Sequence, residues 1–401
     1  MLHRFLNKDS YKNASDAVAS LVRSASDTAR IEHELHNFYK YPACFSPLLV
    51  NELIRAFSAR GDTIVDPFVG GGTAAVESML LGRRFVGTDL NDLAVFSSKV
   101  KTTQLAGNSI SVLDKWIGKV SSIDPPSDFD LDEYADIPDL KDLPLEISYF
   151  LGKIKESFRK IDDSAVRRFA QCVVLRAAKI RMEGPREKLH FDDLKNLILE
   201  LYEKMIEANI EAKHIISSRD DFFKPKILKG DNTSSKTVDR VLKAVGRQKV
   251  KLIVTSPPYP GISVLYNRWQ VHGRRETMVP YWLIDSDQRK SASFFTMGHP
   301  KTQQGLDDYF RQIQESFTNI YSYIDKNTLI TQLVAFGDKK TQFFAFMDAM
   351  SDSGFSEIKN ITAKSFDGRI WRSVANRKWY NSLKEKSSNR NEVLLFFRRK
   401  S

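Results

Sequence analysis

The chain has 401 residues, 42% hydrophobic and 28% charged, which is an ordinary composition for a globular protein. Its N-terminal segment lacks the apolar core of a signal peptide, and no apolar stretch is long enough for a membrane helix, so we expect a cytoplasmic protein without a membrane partner. Two cysteines are too few for a disulfide framework, whereas the net charge of +11 favours a polyanionic partner, of which nucleic acid is the commonest.

The first part of the chain carries the pattern of a parallel sheet. A short apolar run ends in Asp66, a glycine cluster and a helical pattern follow, and a second short run ends in Asp89. Strand, glycine-rich turn, helix and strand in this order are typical of a βαβ unit. The predicted elements are helices at 14–37, 48–57 and 74–82 and strands at 63–66 and 83–89.

The middle of the chain loses this pattern and predicts a helical insertion. Residues 121–144 are acidic and contain prolines, as loops do, and three amphipathic helical segments follow them. Sheet-like runs resume at 226–231 and 250–256, and alternate with helices to the end of the chain, apart from an irregular stretch at 260–304. We therefore expect an α/β fold of about seven strands, mostly parallel, divided into residues 1–100, an insertion at 101–225, and residues 226–401.

The segment Asp66–Thr73, DPFVGGGT, lies between a predicted strand and a predicted helix. Glycines let the backbone approach a ligand closely, and the helix N-terminus offers unpaired N–H groups. Asp89, at the end of the next strand, is placed to accept hydrogen bonds from ribose hydroxyls. This pattern indicates a nucleoside cofactor, although a dinucleotide-binding dehydrogenase and a bare structural turn share it.

The segment Thr255–Tyr259, TSPPY, directly follows a buried strand. Its two prolines fix the backbone and remove two N–H donors, which leaves carbonyl acceptors at the strand end. A hydroxyl and a carbonyl at Ser256 and Pro257 can accept the hydrogens of an amine and orient its lone pair for methylation. Tyr259 offers a flat face to a base swung out of a duplex, so the motif predicts methylation of an exocyclic amine.

The pairing of DPFVGGGT with TSPPY resembles the DNA amino-methyltransferases that make N4-methylcytosine or N6-methyladenine. This resemblance covers about 40–100 and 226–400 and implies a Rossmann-like seven-stranded sheet with a reversed final hairpin, as in class I methyltransferases. Many relatives have a lysine where this chain has Cys44. The catalytic residues implied are Ser256, Pro257, Pro258 and Tyr259. The residues implied for S-adenosylmethionine are Phe45, Ser46, Pro47, Asp66, Pro67, Phe68, Gly70, Gly72, Thr73, Asp89, Leu90 and Asp231.

Double-stranded DNA is the expected substrate, and its contacts are expected beside the catalytic loop. Arginines there can neutralise phosphates or read guanine, and aromatic side chains can fill the space of a flipped base. The predicted DNA-binding residues are Tyr266, Arg268, Trp269, Arg274, Arg275 and Arg372. The insertion is another place for DNA recognition or for dimerisation, and a cognate restriction endonuclease is an expected partner. We predict no metal, because the histidines lack ligand spacing.

Serine in the first SPPY position resembles cytosine-N4 enzymes more than adenine-N6 enzymes, so we predict cytosine N4 as the target. The order of the two loops is the reverse of that in many SPPY enzymes, which leaves adenine N6 as an alternative. Some tRNA guanine-amine methyltransferases share similar loops, so an RNA substrate is a further alternative. A catalytically silent subunit that binds nucleic acid is the non-enzymatic one.

Overall fold

The computed structural model describes fourteen segments of the chain, and every structural statement below concerns these residues. They are 2–27, 33–42, 44–127, 131–134, 136–185, 188–218, 222–260, 269–271, 275–287, 297–298, 302–338, 341–359, 367–373 and 391–400.

Ten strands are described, in one large sheet and one small hairpin. Strands β1 and β7 are buried along their whole length, because helices cover both faces of the large sheet. The strands are β1 Thr63–Asp66, β2 Arg84–Asp89, β3 Lys226–Lys229, β4 Val250–Thr255, β5 Trp269–Val271, β6 Arg275–Thr277, β7 Leu329–Ala335, β8 Phe355–Glu357, β9 Ile370–Ser373 and β10 Asn391–Arg399.

The described helices include twelve α-helices and three short 3₁₀ helices, none of them long and apolar enough to cross a membrane. The α-helices are α1 Ala14–Ser26, α2 Pro47–Phe57, α3 Thr73–Leu80, α4 Asp92–Lys101, α5 Gly107–Ser121, α6 Leu145–Phe158, α7 Ser164–Met182, α8 Phe191–Ser217, α9 Ser235–Val245, α10 Val279–Leu283, α11 Gln303–Tyr321 and α12 Gln342–Asp352. The 3₁₀ helices are Leu2–Arg4, Glu34–Phe38 and Leu131–Tyr134.

The large sheet has the strand order β3-β2-β1-β4-β7-β10-β8, with β9 paired to β10. Neighbours from β3 to β7 are parallel, whereas β10 runs antiparallel to β7, β8 and β9. This is the Rossmann-like sheet of class I methyltransferases, with the reversed final strand β10 inserted between β7 and β8. The predicted α/β fold is confirmed, and β9 is a strand that the sequence pattern did not predict.

Two local predictions are wrong. The helix predicted at 14–37 ends at Ser26, and a separate 3₁₀ helix begins at Glu34. His33 starts this second helix because its Nδ1 accepts the Leu35 N–H at 3.1 Å. The stretch at 260–304 is not wholly irregular, since it contains the β5–β6 hairpin and α10.

Helices α5 to α8 lie within the insertion predicted at 101–225, and they share an apolar core with helices of the sheet domain. Val76 of α3 and Leu93 of α4 lie in one buried cluster with Trp116, Phe150 and Ile198 of the insertion. Gln171 in α7 donates to the Leu283 carbonyl oxygen in α10 at 3.0 Å. The insertion therefore packs as an added layer against α3, α4 and α10, which follows the TSPPY loop in the chain.

Trp269 lies in this layer rather than on a DNA-facing surface. It is 2% exposed, and its indole Nε1 donates to the Tyr39 hydroxyl at 2.9 Å. The aromatic and basic composition of its segment suggested a surface loop, but the β5–β6 hairpin folds the indole inward onto the insertion. In this structure Trp269 therefore has no face to offer to DNA.

Trp269→Ala should lower the free energy of unfolding by ~3 kcal/mol or more, because it empties a buried site. Urea unfolding followed by circular dichroism measures this loss. Phe344→Ala is the matched control, because Phe344 is 63% exposed and its removal leaves no cavity. If Trp269→Ala left the stability unchanged and weakened DNA binding, Trp269 would be a DNA contact rather than a buried core residue.

Candidate cofactor and catalytic site

The glycine turn after β1 needs glycine at the position where α3 begins. Gly72 precedes the helix with φ +82°, and a Cβ there would lie 2.7 Å from the Ser98 hydroxyl oxygen. Gly70 also has a positive φ, +47°. Since L side chains rarely adopt this backbone and α4 packs directly behind the turn, larger residues are excluded. The turn thus presents bare backbone and the N-terminus of α3 to the neighbouring cavity.

Asp89 closes the turn from the end of β2. Its Oδ2 accepts the Gly70 N–H at 2.8 Å, and its Oδ1 accepts the Asn91 N–H at 2.9 Å. Burial raises the pKa of this carboxyl to about 6, although the backbone hydrogen bonds oppose the shift. Each carboxylate oxygen has a second lone pair, so Asp89 can hold the loop and still accept a hydrogen bond from a ligand hydroxyl.

Asp66 joins the glycine turn to the TSPPY loop. Its Oδ1 accepts the Thr255 hydroxyl at 2.6 Å and the Phe68 N–H at 3.0 Å. Burial raises the pKa of Asp66 to about 7, and the charge of Asp89 adds to that rise. The two loops are adjacent because β1 pairs in parallel with β4, which brings both strand ends to one edge.

Lys101 supports the turn from beneath. Its side chain is buried, at 1% exposure for the residue, and its Nζ donates to the Gly71 carbonyl oxygen at 2.8 Å. Burial lowers the pKa of this ammonium group. Cys44 approaches the same glycine, since a Cβ on Gly71 would lie 3.1 Å from the Cys44 sulfur.

A cavity of about 410 Å³ opens at this edge of the sheet. The predicted cofactor residues that line it are Phe45, Asp66, Phe68, Gly70, Thr73, Asp89, Leu90 and Asp231. The other four predicted cofactor residues, Ser46, Pro47, Pro67 and Gly72, are outside its described lining. Ser256 and Pro258 line the same cavity, whereas Pro257 and Tyr259 are outside its described lining.

The charge of the lining distinguishes between nucleoside ligands. Asp66, Asp89 and Asp231 contribute carboxyl groups, and no lysine or arginine occurs among its described residues. A pyrophosphate would be repelled there, which disfavours a dinucleotide. A ligand with hydroxyl donors and positive charge fits, and S-adenosylmethionine has ribose hydroxyls, an ammonium group and a sulfonium.

Ser256 sits where β4 ends, with its Oγ directed at two protein oxygens. The Leu333 carbonyl oxygen lies 3.1 Å away and the Tyr259 hydroxyl oxygen 3.2 Å away. Pro258 is fixed by Tyr309, whose hydroxyl donates to the Pro258 carbonyl oxygen at 2.6 Å. Tyr259 in turn donates to Glu392 Oε1 at 2.9 Å. The TSPPY loop is therefore hydrogen-bonded to α11, β7 and β10.

The predicted DNA contacts are placed differently. Tyr266, Arg268 and Arg274 lie outside the described residues, and so does the side chain of Arg275. Arg372 is half-buried on β9, and its Nε lies 2.9 Å from Glu392 Oε2. The two atoms form an ion pair rather than an aligned hydrogen bond. Since this pair engages the charge of Arg372 inside the protein, the structure does not place that arginine on a DNA-facing surface.

Sequence reasoning missed Lys101, Asn232 and Glu392. Asn232 follows Asp231 and ties the β3 end to the glycine turn, because Thr88 donates to its Oδ1 at 2.8 Å and its Nδ2 donates to the Pro67 carbonyl oxygen. Neither Lys101 in a helical pattern nor Glu392 in a strand pattern differs in sequence from an ordinary surface charge. Asn232 could have been predicted from the sequence, since it directly follows Asp231, a predicted cofactor residue.

Comparison with known proteins gives a match for residues 7–98 to a family described as DNA methylase, of the N6/N4 type. The type II methyltransferase M.BsoBI of Geobacillus stearothermophilus is 32% identical over 98 residues, 24% of this chain and 19% of that protein. M.MvaI of Kocuria varians is 35% identical over 79 residues, 19% of this chain and 17% of that protein. The similarity to the N6/N4 DNA methylase family therefore covers residues 7–98.

The matched segment, residues 7–98, contains the glycine turn and Asp89 but not the TSPPY loop. The matches cover less than a fifth of the length of either relative. Among solved structures, the rRNA methyltransferase AviRa of Streptomyces viridochromogenes is 9% identical, with a TM-score of 0.35 over 92% of this chain and 94% of that one. The cofactor that the methylase family and the class I fold imply is S-adenosylmethionine.

Asp66→Asn should stabilise the protein at pH 8. Burial raises the pKa of Asp66 from its usual 3.8 to about 7, so stability falls as the pH rises between these values. The amide mimics the protonated acid, and we expect a Tm higher by about 2 °C at pH 8 and a smaller difference at pH 5. Calorimetry at both pH values tests this. A lower Tm at pH 8 would show that the hydrogen bonds from Thr255 and Phe68 outweigh burial.

Asp89→Asn should weaken the binding of S-adenosylhomocysteine about tenfold at pH 8, or ~1.4 kcal/mol, because the ribose loses a charged acceptor. The pKa of Asp89 is about 6, so wild-type binding should weaken as the pH falls from 8 to 5, and the variant should show a smaller change. Isothermal titration calorimetry measures both. Asp92→Asn, outside the cavity lining, is the control, and an unchanged Kd for Asp89→Asn would exclude the ribose role.

Proposed function

We propose that this protein is a DNA methyltransferase that transfers a methyl group from S-adenosylmethionine to the exocyclic amine of a flipped base. The observation that supports this proposal most is that Ser256 and Pro258 line the same cavity as Asp66, Gly70 and Asp89. A methyl donor bound against the glycine turn would then face an amine bound at the TSPPY loop. The basic charge of the chain, +11, fits a DNA substrate.

The side chains would divide the work as follows. Asp89 would accept hydrogen bonds from the ribose, and the glycine turn would leave room for the methionine part. Bound S-adenosylmethionine would supply an electrophilic methyl group, whose bond to sulfur breaks as the bond to nitrogen forms. Ser256 would accept a hydrogen of the amine and turn the nitrogen lone pair out of conjugation, towards the methyl group. The methylated nitrogen would release one proton to solvent, which leaves a neutral methylamine on the base and S-adenosylhomocysteine as the second product.

Cytosine N4 is the target base that we propose. The cytosine amine is strongly polarised by its ring, and a neutral hydroxyl such as that of Ser256 is an acceptor sufficient to orient it. Both curated relatives are named type II methyltransferases, which supports a role in a restriction–modification or related defence system, with a cognate endonuclease as partner. Adenine N6 and an RNA amine are the competing targets.

Ser256→Ala should lower kcat about a hundredfold, as expected for the loss of one hydrogen-bonding group at the reacting atom. The Kd values for S-adenosylhomocysteine and for DNA should stay within about twofold. Ser353→Ala is the matched control, because the Ser353 hydroxyl also donates to backbone carbonyl oxygens, those of Ala349 and Gln314, away from the cavity.

The decisive assay incubates the wild-type protein with labelled S-adenosylmethionine and either genomic DNA or tRNA, followed by nucleoside mass spectrometry. We expect N4-methylcytosine in DNA, formed about a hundredfold more slowly by Ser256→Ala. N6-methyladenine would keep the reaction class and change the base. Label in tRNA alone, or cofactor and DNA binding without any methylated base, would overturn the proposal.

A further inference from the structure

A continuous polar path leads from the catalytic serine to the last strands of the sheet. Ser256 lies next to the Tyr259 hydroxyl at 3.2 Å, and Tyr259 donates to Glu392 Oε1 at 2.9 Å. Glu392 Oε2 lies 2.9 Å from Arg372 Nε. Glu392 and Arg372 are cross-strand partners in the β9–β10 ladder, and Glu392 is 4% exposed. The β9–β10 pairing therefore holds the buried Glu392 carboxylate next to the Arg372 guanidinium.

The direction of this path follows from counting protons. A carboxylate accepts hydrogen bonds and cannot donate them, so the single proton of the Tyr259 hydroxyl points at Glu392. Towards Ser256, the Tyr259 oxygen can then accept a hydrogen bond but cannot donate one. The single proton of Ser256 goes either to that oxygen or to the Leu333 carbonyl oxygen, and both are protein groups. The lone pairs of Ser256 Oγ are thereby left available to a ligand in the cavity.

We propose that Glu392, held by Arg372, is a positioning residue that orients the hydroxyl chain so that Ser256 presents an acceptor to the target amine. This inference rests on the proposed function, in which Ser256 accepts a hydrogen of that amine. A Tyr259 hydroxyl that no longer donates to Glu392 can donate to Ser256 Oγ instead. That hydrogen bond would occupy a lone pair that the amine needs.

Glu392→Gln should reverse the chain. Arg372 has only donors, so the amide would turn its oxygen towards Arg372 and its NH₂ group towards Tyr259. Tyr259 would then accept from the amide and donate to Ser256. We expect kcat to fall about tenfold or more, with the KM for DNA and the Kd for S-adenosylhomocysteine unchanged, because the cavity lining itself is intact.

A purely structural role for the ion pair is separated by a matched pair nearby. Arg369 and Glu357 form a second arginine–carboxylate pair between the β8 and β9 segments, with Nε 2.6 Å from Oε1, and its side chains are 15% and 4% exposed. The Arg372 and Glu392 side chains are 14% and 5% exposed. Because Arg369 also donates two hydrogen bonds to Glu357, Glu357→Gln should lower Tm at least as much as Glu392→Gln, yet leave kcat within about twofold.

Tyr259→Phe supplies the sharpest test, because it removes the hydroxyl that would misdirect Ser256. Serine keeps the Leu333 carbonyl oxygen as its acceptor, so Tyr259→Phe alone should reduce kcat less than Glu392→Gln. The double variant should turn over as fast as Tyr259→Phe, and so faster than Glu392→Gln. Such rescue is a non-additivity that lost stability does not produce.

All variants are measured as the 401-residue chain in steady-state methylation of DNA, which gives kcat and KM, beside Tm and S-adenosylhomocysteine binding. Wild-type kcat in Glu392→Gln, or additive losses in the double variant, would overturn the inference while leaving the proposed function intact. A wild-type protein that methylates no DNA would overturn the proposed function itself. Should Glu392→Gln fail to fold, Glu392→Asp withdraws the carboxylate by one methylene, and its loss of kcat should also be rescued by Tyr259→Phe.

Discussion

The parallel pairing of β1 with β4 is the constraint on which the site depends. Because these strands are neighbours, the glycine turn after β1 and the TSPPY loop after β4 leave the sheet side by side. The hydrogen bond from Thr255 to Asp66, at 2.6 Å, then ties one loop to the other. The two loops are distant in sequence, but the sheet order brings them to the same edge of the sheet.

The same edge concentrates negative charge in a buried place, at a cost to stability. Burial raises the pKa values of Asp66 and Asp89, so the folded chain resists ionising the groups that a cationic nucleoside needs. Backbone N–H groups offset part of this cost at Asp89, and Lys101 supports the adjoining carbonyl oxygen of Gly71. Such tension between stability and ligand binding is common at functional sites.

The sequence was sufficient where a local pattern carries its own physics. A strand end is predicted by each of three local patterns: the glycine turn, the acid that ends a strand, and TSPPY. The structure brings Asp66, Asp89 and Ser256 to one cavity. The sequence was insufficient where tertiary packing decides. The indole of Trp269 and the guanidinium of Arg372 are typical of DNA-binding loops in sequence, yet one is buried against Tyr39 and the other pairs with Glu392. No local pattern reveals which strand will supply the partner of Tyr259.

The most direct test of a single composite site is a crystal structure with S-adenosylhomocysteine and a DNA duplex that contains the methylated sequence. We predict that the ligand sulfur lies between the glycine turn and Ser256 and that its ribose hydroxyls donate to Asp89. We also predict an extruded base whose amine contacts Ser256 Oγ. A ligand bound away from the glycine turn, or a base pocket that excludes Ser256, would contradict this prediction.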